Sequence, residues 1–257
     1  MLIGAMNHPK QDVVSEIRWM GALGLDFIDL SLEPPTAASW RVDLLAIKKA
    51  LADFNLKVVG HTAYYLPFSS PFEDLRKAAV SECKRCLEKF GELGAKWMNI
   101  HPDRHVPMHD RAFWIERNLV SLYEMHETSK ATGVSLMVEN LPGSFNTVKE
   151  LAELLDPIPD LGLHLDIGHA NLQVEYNTTD ELVARFTPRI AHVHLHDNNG
   201  TADQHLPLGA GRIDYVRHLK ALKQSGYDST ITLEVFSPDR RYFELSRDIL
   251  RKTWDGL

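Results

Sequence analysis

SLMVENLPGSFNTVKELAELLDPIPDLGLHLD, residues 135–166, decides the fold. Ser135 to Glu139 is a short apolar run that ends on an acid, and Gly162 to Asp166 is a second such run that also ends on an acid. Between them, Thr147 to Leu155 carries apolar residues at three- and four-residue spacing. A short strand, an amphipathic helix and a short strand make one βαβ unit, whose strands run parallel.

The same alternation extends in both directions. Six more β-like runs are Leu2 to Met6, Phe27 to Leu30, Lys57 to His61, Trp97 to His101, Ile190 to His194 and Thr230 to Phe236. Helix-like segments include Asp12 to Leu23, Phe72 to Leu93, Asp110 to Thr132 and Tyr215 to Ser225, and Gly24, Gly94, Gly133 and Gly226 each stop a helix shortly before a strand. Eight βα units with no internal linker predict a (β/α)8 TIM barrel, class α/β, as a single domain over residues 1–257. A doubly wound open sheet is the alternative, but no GxGxxG turn follows the first strand.

Composition narrows the class of function. At 257 residues and 44% hydrophobic content the chain can bury one large core. No apolar run reaches the roughly 18 to 20 residues needed to cross a bilayer. The N-terminal MLIGAMNHPK also lacks a basic region followed by a long apolar segment, so a soluble, cytoplasmic protein is expected. Lys and Arg total 28 against 35 Asp and Glu, a net charge of −7, which gives no general attraction to nucleic acid or to an anionic membrane. The only cysteines, Cys83 and Cys86, form C-K-R-C inside a helical segment. Redox chemistry of the thioredoxin kind wants its first Cys at a helix N-terminus, and two thiols are half a structural zinc site, so both read as ordinary buried helix residues.

The chemistry-bearing residues recur with the strands. His61, His101, Glu139, Asp166, His194 and Glu234 lie at or near the ends of the third to eighth runs, at spacings of 40, 38, 27, 28 and 40 residues. The C-terminal strand ends of a closed barrel form one ring, so these side chains are expected to converge at a common mouth. Several carboxylates gathered there need positive charge beside them. HVHLHDNNGTADQHLPLGAGRID, residues 192–214, adds Asp203 and His205 on a loop, while His192, His194 and His196 share one strand face.

GHTAYY (Gly60 to Tyr65), NIHPD (Asn99 to Asp103), VENLPG (Val138 to Gly143), HLDIGHA (His164 to Ala170), HVHLHDN (His192 to Asn198), DQHLPLGAGRID (Asp203 to Asp214) and LEVF (Leu233 to Phe236) resemble the motif series of the xylose isomerase-like barrels. That superfamily holds sugar and sugar-phosphate isomerases and epimerases together with the endonuclease IV, or AP endonuclease family 2, phosphodiesterases. The resemblance spans nearly the whole chain and implies a central metal held by Glu139, Asp166, His194 and Glu234. The endonuclease IV pattern adds a second metal on His61 and His101 with Glu139 as bridge, and a third on His169, Asp203 and His205; all nine positions match. These donors suit zinc or manganese, with magnesium or cobalt as alternatives at the centre, one to three ions per chain. His164, His192 and His196 are assigned to roles behind the ligands or in the fold.

Two chemistries follow from the resemblance. In a metal-dependent sugar or sugar-phosphate isomerase or epimerase, Glu139 and Glu234 would be the acid/base pair beside a carbonyl, and His169 would contact a substrate oxygen. Three carboxylates with one divalent ion leave a single negative charge, suited to a neutral carbohydrate; four with three ions leave a double positive charge, suited to a phosphate ester. The nine-ligand match and Tyr64 favour an endonuclease IV-like phosphodiesterase. LEPPTAASW (Leu32 to Trp40), with no Lys, Arg, Gln or Asn, and Ile167 and Gly168 in DIGH favour the sugar branch, so nucleic acid is the less favoured partner. The sugar reading departs from ketose epimerases at Asn198, Asn199 and Gly200, where those enzymes carry an arginine. A binding barrel without catalysis would leave so many ligands without a use. Loops such as Tyr64 to Phe72, Arg104 to Trp114 and Leu172 to Thr178 are expected to set specificity, and Tyr64, Asn7, His8 and Trp114 are candidate substrate-binding residues at the mouth.

Overall fold

In the computed structural model, which describes residues 1–104 and 106–257, strands and helices alternate from one end of the chain to the other. The strands are β1 Leu2–Met6, β2 Phe27–Leu32, β3 Lys57–Thr62, β4 Trp97–Ile100, β5 Ser135–Glu139, β6 Gly162–Asp166, β7 Ile190–Leu195 and β8 Thr230–Leu233. The helices are α1 Val13–Ala22, α2 Leu44–Phe54, α3 Glu73–Leu93, α4 Arg111–Thr132, α5 Val148–Leu155, α6 Thr179–Phe186, α7 Tyr215–Gln224 and α8 Arg241–Gly256. The strands pair in sequence order, and β8 closes onto β1 in parallel register, Leu2 opposite Thr230 and Ala5 opposite Leu233. This is the (β/α)8 TIM barrel expected from the alternation.

Local chemistry sets the element ends. Asp12, Asp43, Asp110, Thr147 and Asp214 each accept a backbone N–H from the first turn of the helix they precede, and Thr147 with Glu150 forms a reciprocal capping box. Gly94 and Gly133 end α3 and α4 at φ +74° and +71°, a conformation that a Cβ would penalise. Cys83 and Cys86 face the core of the barrel wall at 0% and 1% exposure, and burial pushes both thiols up, as expected of inert apolar residues. Among the described residues, no helix is long and apolar enough to cross a membrane.

β2, β3 and β7 run one or two residues past their expected ends, and two strands stop short of theirs. β4 stops at Ile100, leaving His101 just beyond it. β8 stops at Leu233 rather than running to Phe236: the Glu234 N–H still donates to the Leu195 carbonyl, but the Phe236 N–H turns to the carbonyl of His205. The chain leaves the barrel ladder there because it pairs with the loop that carries Asp203 and His205.

The inside of the barrel is layered. Its floor is apolar, with Phe27, Val59, Met137 and Ala191 packed together and Leu2 and Trp97 against them. One layer up, where TIM barrels usually pack branched apolar side chains, the fully buried residues include Asp29, Asn99, His164, His192 and Thr232. A larger apolar cluster lies between strands and helices and makes the barrel wall rigid. The polar layer leads to the mouth.

Candidate active site

Strand alternation points every second side chain inward, and the last inward residues of neighbouring strands meet at one end. A cavity of about 590 Å³ opens there, lined by His61, His101, Glu139, His169, Asp203, His205 and Glu234, with Tyr64, Leu141, Leu172 and Phe236 around them. Asp166, His194 and His196 lie beneath it, fully buried. The structure therefore brings together all nine residues that the resemblance implied as ligands.

They form three connected groups. At the centre, His194 Nδ1 lies 3.1 Å from Glu234 Oε2 and 3.9 Å from Asp166 Oδ2. His169 Nδ1 lies 3.4 Å from Asp166 Oδ2 and 3.0 Å from Glu139 Oε1, and so links Glu139 to that group. The second oxygen, Glu139 Oε2, faces the other way: His101 Nε2 is 2.9 Å from it, and His61, His101 and Glu139 offer donor atoms all within 4.8 Å of one another. On the loop side, the Nε2 atoms of His169 and His205 both lie 3.2 Å from Asp203 Oδ2.

Charge explains the arrangement. Burial alone would raise the carboxyls, but histidine neighbours outweigh it. His164 and His101 beside Glu139, with hydrogen bonds from His101 and His169, hold it well below the usual range; His169 lowers Asp166, and His194 lowers Glu234. The histidines divide into two kinds. Burial pushes His101, His164 and His192 down, so these stay neutral. His169, His194 and His205 rise despite burial, through Asp166 and Asp203, Glu234 and Asp29, and Asp203 and Glu234 respectively. Each of these clusters holds positive charge, a role that a divalent cation takes over when it displaces the protons. The residues fit such an ion: the donors are imidazole nitrogens and carboxylate oxygens, and Asp166 Oδ2, fully buried among them, has no hydrogen-bond partner among the described residues.

Several supporting residues were not anticipated. Asp29, in the middle of β2, is completely buried; its Oδ2 lies 2.6 Å from His194 Nε2 and 3.2 Å from His192 Nε2, and its Oδ1 lies 3.6 Å from His61 Nδ1. Burial would raise this carboxyl, yet hydrogen bonds from His192 and His194 and the nearby His61 hold it well below the usual range. An acid inside the apolar run FIDLSL is its signal in the sequence, at mid-strand rather than at a strand end. Asn99 Nδ2 donates to Glu139 Oε2 at 2.6 Å, and Asn140 grips the Asp166 backbone from both sides. Asp197 accepts four backbone N–H groups, from Asn198, Gly209, Gly211 and Ile213, and so clamps the loop bearing Asp203 and His205.

Of the four substrate-binding candidates, only Tyr64 lines the cavity, edge-on to His101. Asn7 does not, because both ends of its buried amide are bonded to the Ser31 backbone, tying β1 to β2. His8 is exposed, with Nδ1 accepting from the Lys10 N–H. Trp114 is buried against Phe145 with Arg111 over its ring, a packing role in the wall. Within the Arg104 to Trp114 loop, His105 lies outside the described residues. Asn198, the first residue of the Asn198–Asn199–Gly200 stretch, is fully buried and bonds Gly168, Asn171 and Gly200.

Comparison with known proteins adds to this geometry. A family model described as xylose isomerase-like TIM barrel matches residues 17–253. An uncharacterised protein of Methanocaldococcus jannaschii is 32% identical over 195 residues, a match spanning 70% of this chain and 65% of that protein. A probable endonuclease 4 of Aquifex aeolicus is 25% identical over 281 residues, 99% of this chain and 98% of its own. An L-ribulose 3-epimerase of Mesorhizobium japonicum is 28% identical over 250 residues, 90% of this chain and 78% of its own. Among solved structures, a D-tagatose 3-epimerase-like protein matches with a TM-score of 0.89 at 25% identity, covering 99% of this chain and 97% of that one.

Proposed function

This chain belongs to the xylose isomerase-like TIM barrel family, and from that premise we propose that it is a metal-dependent sugar or sugar-phosphate isomerase or epimerase, acting by proton transfer at a carbon next to a carbonyl. One observation carries the reading: Glu139 and Glu234, from β5 and the end of β8, line the same small cavity from strands that are not neighbours. A substrate held between them has a carboxyl group on either side. The likeness to a D-tagatose 3-epimerase-like structure and to an L-ribulose 3-epimerase supports the same class.

Glu139, Asp166, His194 and Glu234 would hold the central cation. When bound, it polarises the carbonyl and hydroxyl oxygens of the sugar and makes the neighbouring C–H more acidic. One glutamate takes that proton as the C–H electron pair forms a C=C bond and the carbonyl pair moves onto oxygen; as the pairs return, the other glutamate, ionised at rest, passes a proton drawn from solvent to carbon from the other side. Asn99 and His101 fix Glu139 Oε2, so the carboxylate is aimed before substrate arrives. His169 Nδ1, 3.0 Å from Glu139 Oε1, steadies the other oxygen of that carboxylate, and Tyr64 is placed to cover the mouth beside His101. Leu141, Leu172 and Phe236 exclude water from the reacting carbon.

The compact His61, His101 and Glu139 group favours a second reading, an endonuclease IV-like phosphodiesterase, as does the Aquifex aeolicus relative. Against it, the cavity is lined by Glu33, Glu139, Asp203 and Glu234, with Arg104 as the one Lys or Arg among the described lining residues, a setting that disfavours a polyanion unless several ions are bound. Zinc or manganese is the cation that this donor set suits best, and a small carbohydrate is the partner.

The test is incubation of metal-loaded protein with ketoses, inososes and sugar phosphates in deuterated water. Deuterium at the carbon next to the carbonyl is the expected result, and Glu139→Gln and Glu234→Gln should each lower its incorporation by roughly 100-fold or more. Incision of abasic-site DNA with no exchange into any sugar would replace this reading by the second one.

A further inference from the structure

His196 lies next to Asp197 in the H-L-H-D run and was assigned no ligand role, yet its position is that of one. It is fully buried, and among the described residues its Nε2 has no hydrogen-bond partner. That nitrogen lies 3.4 Å from Asp203 Oδ1 and 3.4 Å from Asp166 Oδ1. Room for the ring is made by the chain itself: a Cβ at Gly168 would fall 2.1 Å from His196 Cε1 and Nε2.

Three imidazoles at the mouth share one arrangement. His169 Nδ1 faces the Asn140 carbonyl at 3.1 Å, His205 Nδ1 the Glu234 carbonyl at 3.2 Å, and His196 Nδ1 the Asp197 carbonyl at 3.4 Å. A carbonyl can only accept, so each Nδ1 is the N–H and each Nε2 is left to face the Asp203 carboxylate, at 3.2, 3.2 and 3.4 Å for His169, His205 and His196. A backbone carbonyl behind one ring nitrogen is how metal-bound histidines are usually held. With zinc–nitrogen bonds of about 2.0–2.1 Å, the ligand atoms of a tetrahedral site stand about 3.3 Å apart, close to the three nitrogen-to-carboxylate distances, which reach Asp203 Oδ2 from His169 and His205 and Oδ1 from His196.

We propose that His196, through Nε2, is a direct ligand of a divalent cation held together with His169, Asp203 and His205. Four protein ligands, three of them imidazoles, are a set found in structural zinc sites. The work of this ion is structural: it pins the Asp203–His205 loop over the central site. The inference is independent of which reaction the central site performs.

The experiment loads full-length, metal-stripped protein with cobalt(II) alone, counts bound ions by elemental analysis and records the ligand-field absorption. Wild type is expected to bind an ion with the intense absorption of tetrahedral cobalt. His196→Asn should weaken that ion by more than the roughly 100-fold that loss of a partner behind a ligand costs, and should remove the tetrahedral band. Unchanged ion count, affinity and spectrum in His196→Asn would overturn the proposal. Should that variant fail to fold, wild-type protein with isotope-labelled histidine and NMR-active cadmium decides the matter. Scalar coupling from one cadmium to Nε2 of His169, His196 and His205 supports the site, whereas coupling to His169 and His205 without His196, or to none of them, rejects it. No readout depends on turnover, so failure here leaves the isomerase or epimerase reading to its own test.

Discussion

Asp29 stands behind ligand candidates of two groups at once, beside His194 Nε2 on one side and His61 Nδ1 on the other. A carboxylate behind an imidazole fixes its tautomer and raises its basicity toward a cation on the far nitrogen. Asp29→Asn keeps the shape but removes the charge, and it should weaken the central ion by about 10–100-fold in a cobalt or manganese titration. An affinity equal to wild type would mean that the carboxylate serves packing alone. The residue was legible as an oddity, an acid in an apolar strand, but not as a partner of His194, since the two are 165 positions apart and only barrel closure brings them together. The opposite error attaches to Asn7 and Trp114, whose residue types suit a binding site but whose side chains are bonded or packed into the wall. Sequence position near a strand end places a Cα at the mouth; which way the side chain is turned depends on neighbours that only the fold supplies.

Elements were legible because their signals are local. The helix following Thr147 begins where the T-x-x-E capping pattern places it, and α3 and α4 end at the glycines that stop them. The loop between β7 and α7 was not, because its shape is set by one buried side chain and four amides, three of them 12, 14 and 16 residues away. Asp197 Oδ2 accepts from Gly209 and Gly211, its Oδ1 from Asn198 and Ile213, and a Cβ at Gly211 would fall 2.3 Å from Asp197 Oδ1. The glycines in LGAGRID thus serve an approach to a carboxylate rather than to a phosphate. Asp197→Ala leaves these N–H groups, those of Asn198 and Ile213 buried, without their acceptor and should cost about 3 kcal/mol. It should also speed hydrogen exchange at Gly209, Gly211 and Ile213 and loosen the loop that presents Asp203 and His205. Exchange as slow as wild type at those amides would show that the loop is held by other contacts.

Across the whole molecule, an apolar floor and wall enclose a column of carboxylates and histidines that leads up to the mouth. Strand-end spacing revealed the ring of residues at the top, whereas the column beneath it, Asp29 with His164 and His192, followed only from closure of the barrel. This column links metal, proton and stability. Glu139, Asp166 and Glu234 titrate below their ordinary values of 4.5, 3.8 and 4.5, so the stability they add is present above those values and lost as pH falls through their lower folded ones. His169, His194 and His205 titrate above their ordinary 6.5, so theirs is complete below 6.5 and lost as pH rises through their folded values. Metal-stripped protein should therefore melt at progressively lower temperature as pH is raised from about 6 to 9, because the positive charge among the carboxylates is carried by protons. Metal-loaded protein should not, because a bound cation supplies that charge without protons and binds better once they have left. Free ion at about 1,000 times Kd adds about 4 kcal/mol, and in a chain of this size each kcal/mol moves Tm by about 2–4 °C, so the two forms should differ by about 10 °C. Calorimetric melts of both forms across that pH range provide the check. A difference that shrinks with rising pH, or stripped and loaded protein melting together throughout, would mean that the carboxylate and histidine clusters do not hold an ion.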